Sequence, residues 1–160
     1  MIKLLPLLLA FSLAFGENTD YLLPDNNSLF SHALKGALKH SRSGILIITP
    51  SFNHTLFKRA AIEGIKRGSS LILVVQKLKG DPLSLAQYAR TDIRTLEGRS
   101  LEGSIILVDD KFACTIPESI DQEKLGDSAA LIRCSNDERE ITSLRKALAP
   151  LLARSKSYLK

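Results

Sequence analysis

Three short apolar runs without a charge constrain this chain most: Ile45-Leu46-Ile47-Ile48, Leu71-Ile72-Leu73-Val74-Val75 and Ile105-Ile106-Leu107-Val108. Each is four or five residues long, strand-sized and far below the roughly 20 apolar residues of a membrane-spanning helix. They do not alternate with polar residues, so they read as strands buried on both faces of a parallel or mixed sheet. Between the first two runs, Leu56, Ala60, Ile62 and Ile65 recur at helical spacing and end at Arg67-Gly68, where Gly68 suits the position just past a helix. A strand, a helix and a strand at this spacing make a right-handed crossover with parallel strands. The fold class is therefore α/β, a mixed sheet flanked by helices.

The remaining elements follow from the same periodicities. Glu17 to Asn26 is polar, contains Pro24 and reads as an extended lead-in. Leu29, Ala33, Ala37 and Leu38 then trace a first helix to about His40, with Asn27 or Ser28 offered as its cap. Gly80-Asp81-Pro82 opens a turn, Leu83 to Tyr88 a short helix and Ile93 to Leu96 a short strand; the two glycines and the charges of Glu97 to Gly103 suggest a loop. Ser104 to Val108, the turn Asp109-Asp110-Lys111 and Phe112 to Ile116 form a hairpin. Pro117 to Gly126 is polar and reads as irregular, Ala129 to Arg133 as a final strand, and Asp137 to Leu152 as an amphipathic helix carrying Ile141, Leu144, Leu148 and Leu151 on one face. Asn136 or Asp137 can cap it, and a basic tail ends at Lys160.

The first sixteen residues stand apart. Lys3 precedes an apolar run from Leu4 to Phe15, broken only by Pro6 and Ser12, and Ala14 and Gly16 are the small residues a signal peptidase requires. The division expected is a signal peptide over 1–16, a lead-in over 17–26 and one domain over 27–160, placing the mature chain in the periplasm or outside the cell. The composition is 44% hydrophobic and 24% charged, which excludes a disordered or fibrous chain. The net charge of +5 is too small to identify a polyanion partner by itself. Cys114 and Cys134 permit one disulfide in an oxidising compartment, and they equally suit two buried thiols.

Two stretches carry a family resemblance. Ile45-Leu46-Ile47-Ile48-Thr49-Pro50-Ser51-Phe52-Asn53-His54, continuing through Ala60-Ala61-Ile62-Glu63-Gly64-Ile65-Lys66-Arg67-Gly68, resembles the strand, Ser-Phe loop and helix of the phospholipase D-like superfamily. Ser104-Ile105-Ile106-Leu107-Val108-Asp109-Asp110-Lys111-Phe112 resembles the strand and turn that carry its signature, His-x-Lys-x-x-x-x-Asp. The resemblance implies a phospholipase D-like half domain over about Leu29 to Thr115.

In the family the His attacks phosphorus and the Lys holds the phosphate oxygens, roles that need an imidazole nucleophile and a fixed cation. Placing the signature Asp at Asp109 puts Glu102 at the His position and Ser104 at the Lys position. A carboxylate facing a phosphodiester adds repulsion, and a hydroxyl supplies no cation. No His occurs after His54, so sliding the register restores nothing. The resemblance thus implies the scaffold without its usual catalysis. Active members pair two halves, which implies a homodimer, or a heterodimer with a paralogue that keeps the motif.

Other candidates are fewer. His54 follows a buried strand, at the carboxyl end where α/β folds hold ligands; it reads either as a phosphate contact or as the cap of the next helix. Ser51, Asn53, His54, Lys58 and Arg59 form the candidate ligand-binding set, and Lys58, Arg59, Lys66 and Arg67 give the second helix a basic edge. His32 and His40 read as surface groups. No Gly-rich phosphate loop or zinc-spaced Cys/His cluster occurs, so neither cofactor nor metal is expected. Three functions are carried forward: an exported, non-catalytic domain binding nucleic acid or another phosphate-containing ligand; a phosphodiesterase working through a non-standard group such as His54; and a structural partner of an active paralogue.

Overall fold

The structure, a computed structural model, describes residues 17–158. The leader expected over 1–16 and the end of the basic tail at Lys160 lie outside them. Along the chain come β1 (Asn18–Leu23), α1 (Asn27–Lys39), β2 (Gly44–Thr49), β3 (Phe52–Asn53), α2 (Thr55–Lys66) and β4 (Ser70–Val75). A 3-10 helix (Pro82–Gln87) leads to β5 (Thr91–Thr95), β6 (Ser104–Val108), β7 (Phe112–Ile116), β8 (Ile120–Asp121), β9 (Ala130–Ser135), α3 (Glu138–Arg154) and β10 (Lys156–Ser157).

Eight strands form one mixed sheet in the order β1-β9-β7-β6-β2-β4-β5-β10, and β3 pairs with β8 in a small second one. The expected crossover is present: β2 and β4 are parallel, with Ile45 opposite Leu71 and Thr49 opposite Val75. β6 lies antiparallel on the other side of β2, with Ile48 opposite Ile105. Ile45, Ile47, Leu71, Leu73 and Ile106 face one core with α1 and α2. Leu46, Ile48, Val74 and Leu107 face the other, closed by Ile141 and Leu148 of α3. Burial on both faces explains why these runs are apolar at every position, each fully buried side chain contributing about 1.5–3 kcal/mol.

α3 buries the face the spacing suggests, through Ile141 and Leu148, whereas α1 and α2 bury only part of theirs, Leu38, Ala60 and Ile65, and are rotated to bring phenylalanines inward. α1 buries Phe30, Leu34 and Leu38, while Leu29 is 64% exposed. Phe30 packs edge-on against Phe57 of α2 with ring centroids 6.0 Å apart, and that aromatic contact outweighs the Leu29-Ala33 row. α2 buries Phe57, Ala60, Ala61 and Ile65, leaving Leu56 at the surface. Neither Asn27 nor Ser28 caps α1; the residue before it, Asn26, instead accepts a hydrogen bond from the Leu22 amide at 3.0 Å. Asp137 does cap α3, accepting from the Arg139 amide at 2.9 Å.

Three segments differ from expectation because their partners are remote in sequence, and a fourth differs only in helix type. Within the lead-in, Asn18–Leu23 is an edge strand paired antiparallel with β9. The supposed final strand is followed by β10, which returns to pair with β5. The irregular stretch after Pro117 contains β8, parallel to β3. The short helix after Gly80 is a 3-10 turn. Cys114 and Cys134 face each other directly across β7 and β9 and are joined in a disulfide, buried at 0% and 3% exposure. Among the described residues no helix is long and apolar enough to cross a membrane.

Candidate functional site

β2 and β4 end at the same edge of the sheet where the antiparallel β6 begins, so Thr49, Ser51 and Ser104 meet there. Gly103 permits the approach: a Cβ at that position would lie 2.5 Å from the Ile116 carbonyl oxygen. The Ser104 hydroxyl is 2.8 Å from Thr49 Oγ1 and 2.7 Å from the Glu118 carbonyl oxygen. Thr49 Oγ1 also accepts from the Ile120 amide at 3.1 Å and donates to the Ser51 carbonyl at 2.8 Å. Ser51 Oγ and Ser119 Oγ are 2.7 Å apart. Thr49, Ser51 and Ser104 are buried, so the position aligned with the family's Lys is the junction of a neutral network whose groups satisfy one another.

Glu102, aligned with the family's His, is exposed on the approach to β6. Glu118 adds a second carboxylate, with Oε1 accepting from Ser128 at 2.8 Å and Oε2 buried without a partner. The two positions aligned with the family's His and Lys thus carry a carboxylate and a hydroxyl; an imidazole and a cation at this edge, His54 and Lys79, come from other segments.

Asp109 lies at the far end of β6, about 16 Å from Ser104 along a five-residue strand. It joins loops. Its carboxylate accepts from the amides of Arg42, Ser43 and Gly44 and from the hydroxyls of Ser41 and Ser43. Partial burial opposes its ionisation, but the Gly44, Ser43 and Arg42 amides outweigh that and hold the carboxyl far below the usual carboxylate range.

The candidate binding residues do not converge on one point. His54 caps α2 at a long 3.5 Å from the Phe57 amide, its ring stacked on Phe57 at 4.0 Å between centroids. Burial lowers its pKa, partly offset by the nearby Asp121 carboxylate. Asn53 is held in β3, and its carbonyl accepts from the Gln122 amide at 2.8 Å. Lys58 donates to the Gly80 carbonyl at 2.7 Å at the surface, and Arg59 is exposed.

Beside them Lys79 donates to Asp121 at 2.7 Å, and Asp121 is only 1% exposed. That hydrogen bond is the main reason the Asp121 carboxyl is held below its usual range. Thr49, Lys79, Glu118, Ser119 and Asp121 escape a sequence reading because β8 is only two residues long and its strand partner lies far back in the chain. Thr49 alone left a signal, as the hydroxyl that ends an otherwise apolar run. No group of three His, Cys, Asp or Glu side chains among the described residues could hold a metal ion.

No family model matches the chain, and no curated protein matches it significantly in sequence. Solved structures do match in shape. NucT from Helicobacter pylori superposes with a TM-score of 0.81 at 16% identity, covering 90% of this chain and 100% of NucT. Nuc from Salmonella typhimurium, a phospholipase D family member, gives 0.74 at 14% identity, covering 91% of this chain and 100% of Nuc. TrmBL2, an archaeal chromatin protein described as having a novel mode of DNA binding, gives 0.62 at 14% identity, covering 97% of this chain and 60% of its own. The chain has the phospholipase D-like fold.

Proposed function

We propose that this chain is an exported, non-catalytic phospholipase D-like protein that binds nucleic acid through its phosphates, acting as a homodimer or beside an active paralogue. The observation that carries the loss of catalysis is the Ser104 junction: the position that should present a cation is a buried hydroxyl engaged with Thr49 and the Glu118 carbonyl. Glu102 then offers a carboxylate where a phosphate would have to approach. His54 is a poor substitute nucleophile, since Nδ1 faces the Phe57 amide and its ring is stacked on Phe57.

Export is supported by the apolar leader sequence and by the Cys114–Cys134 disulfide, which persists in an oxidising compartment. Nucleic-acid binding is supported by the fold shared with the DNA-binding TrmBL2, and the small positive charge, 21 − 17 = +4 once Lys3 leaves with the leader, is compatible with it.

The test has two arms on the purified mature chain. Hydrolysis of bis(p-nitrophenyl) phosphate and plasmid DNA is expected to stay at background, and a Glu102→His, Ser104→Lys variant that gained turnover would strengthen the reading. Turnover by the parent that survives purification and is lost in His54→Ala would replace it with an active phosphodiesterase. In the second arm, filter binding of single- and double-stranded DNA across a salt series should give an affinity that falls as salt rises; none at any salt removes the nucleic-acid ligand.

A further inference from the structure

The two ends of the sheet differ in charge. At the edge where β2 and β4 end and β6 begins, Glu97, Glu102, Glu118, Asp121 and Glu123 stand among Lys58, Lys77, Lys79, Arg99 and Lys124, so carboxylates and cations balance. Lys79 is ion-paired there with Asp121 and Glu123, whereas Lys58, like Arg90 at the other end, is held only by a backbone carbonyl and keeps its charge unpaired among the described residues.

At the other end the loop between α1 and β2 brings His40 and Arg42, the loop between α2 and β4 brings Arg67, the approach to β5 brings Arg90, and the β6–β7 turn brings Lys111. Topology places them together. β2, β4 and β5 run parallel and so start at one edge, and the antiparallel β6 ends there.

Contacts confirm the adjacency of these loops. Arg67 Nη1 lies 3.1 Å from His40 Nδ1, Arg90 Nη1 donates to the Gly68 carbonyl at 2.8 Å, and the Ser70 amide donates to the Ser43 carbonyl at 3.2 Å. The carboxylates present do not neutralise the cluster. Asp109 keeps its charge among the amides of residues 42–44 and Asp110 pairs with Arg145 at 3.0 Å, so two carboxylates stand against Arg42, Arg67, Arg90, Lys111 and Arg145.

Cations at the C-terminal ends of α1 and α2 offset the helix dipoles, which accounts for Lys39, Lys66 and in part Arg67. It does not account for Arg42, Arg90 or Lys111. Arg90 is the most telling, because it sits at φ +61, a left-handed conformation that favours glycine.

We infer that this arginine-bearing end of the sheet, opposite the family's substrate edge, is the surface that takes a nucleic-acid backbone. The inference rests on the nucleic-acid reading above and gives it a location. A polyphosphate is drawn more to the Arg42, Arg67 and Arg90 edge, where cations outnumber carboxylates, than to the Glu102 and Glu118 edge, where they balance, so the inferred ligand face lies opposite the signature positions.

The experiment is fluorescence anisotropy with labelled single- and double-stranded DNA, plus sedimentation with vesicles of anionic and of neutral lipid. The chains compared are the wild type, Arg42→Glu, Arg67→Glu, Arg90→Gly and Lys124→Glu, with thermal melts of each. Arg90→Gly guards against misfolding, since glycine suits φ +61.

Each of the first three variants should weaken DNA binding, the triple combination by about tenfold or more near 0.1 M salt, with the salt slope flatter by about one per lost cation. Lys124→Glu, an equal charge change beside Asp121, should alter affinity less than about twofold for want of a phosphate contact. Wild-type binding that survives the triple variant, or that is lost on Lys58→Ala, Arg59→Ala instead, overturns the location while leaving the nucleic-acid reading intact. A wild type that binds anionic vesicles and no DNA overturns both.

Discussion

The Ser104 hydroxyl lies 2.8 Å from Thr49 Oγ1, tying the first residue of β6 to the last residue of β2. Thr49 in turn receives the Ile120 amide, so one buried threonine organises β2, β6 and β8. Replacing Thr49 by Val keeps the shape and removes the hydroxyl, leaving that amide without its partner. The expected cost is about 1–3 kcal/mol, read as a lower urea midpoint with an unchanged slope, and Thr49→Ser should recover most of it.

Ser104→Lys asks a long cation to occupy a position that is 1% exposed. Overpacking of this kind costs about 1–3 kcal/mol. Thermal melts should show Ser104→Lys less stable than Ser104→Ala; equal stabilities would mean that the edge opens readily and that the network is not closed.

The disulfide closes a loop with a sequence separation of 20 between Cys114 and Cys134. Constraining a loop of that length in the unfolded chain is worth about 3 kcal/mol. A Cys114→Ala, Cys134→Ala variant should therefore melt lower than the oxidised protein. Intact mass with and without reductant should differ by two hydrogens, and equal masses would contradict the bridge.

Asp109 is held far below its ordinary pKa by the amides it accepts from, so its contribution to stability is present at neutral pH. For a depressed carboxylate that contribution is complete above the unfolded value of about 3.9 and is lost as pH falls through the folded value. Asp109→Asn should destabilise the protein by about 2 kcal/mol at pH 7. The gap from wild type should narrow below about pH 4, and a gap constant from neutral to acid pH would show that the charge is not what the loops read.

His54 has its pKa lowered chiefly by burial, with Asp121 acting the other way. Its imidazole resonances should titrate below the ordinary value of about 6.5. Because the folded chain favours the neutral ring, its contribution is present above that value and is lost as pH falls through the folded one. A midpoint above 6.5 would mean that Asp121 outweighs the burial.

The sequence by itself determined the three central strands, the parallel crossover through α2, the β6–β7 hairpin and the amphipathic α3. Each of these is written in a local period: unbroken apolar runs where both faces are buried, and apolar rows at helical spacing where one face is. The alignment that sets Glu102 and Ser104 at the signature positions is likewise a reading of the sequence, and the proposed loss of catalysis rests on it.

Tertiary structure alone decided which helix face turns inward, since Phe30 meeting Phe57 depends on two helices docking. It decided the edge strands β1 and β10 and the short pair β3 and β8, whose hydrogen bonds join segments far apart in the chain. It decided between a disulfide and two thiols by setting Cys114 opposite Cys134. It also set Asp109 among the amides of Arg42 to Gly44, and gathered Arg42, Arg67, Arg90 and Lys111 at one end of the sheet. Spacing along the chain encodes neighbours a few residues apart; which distant loops share an edge is set by the order and direction of the strands, and no local pattern carries that.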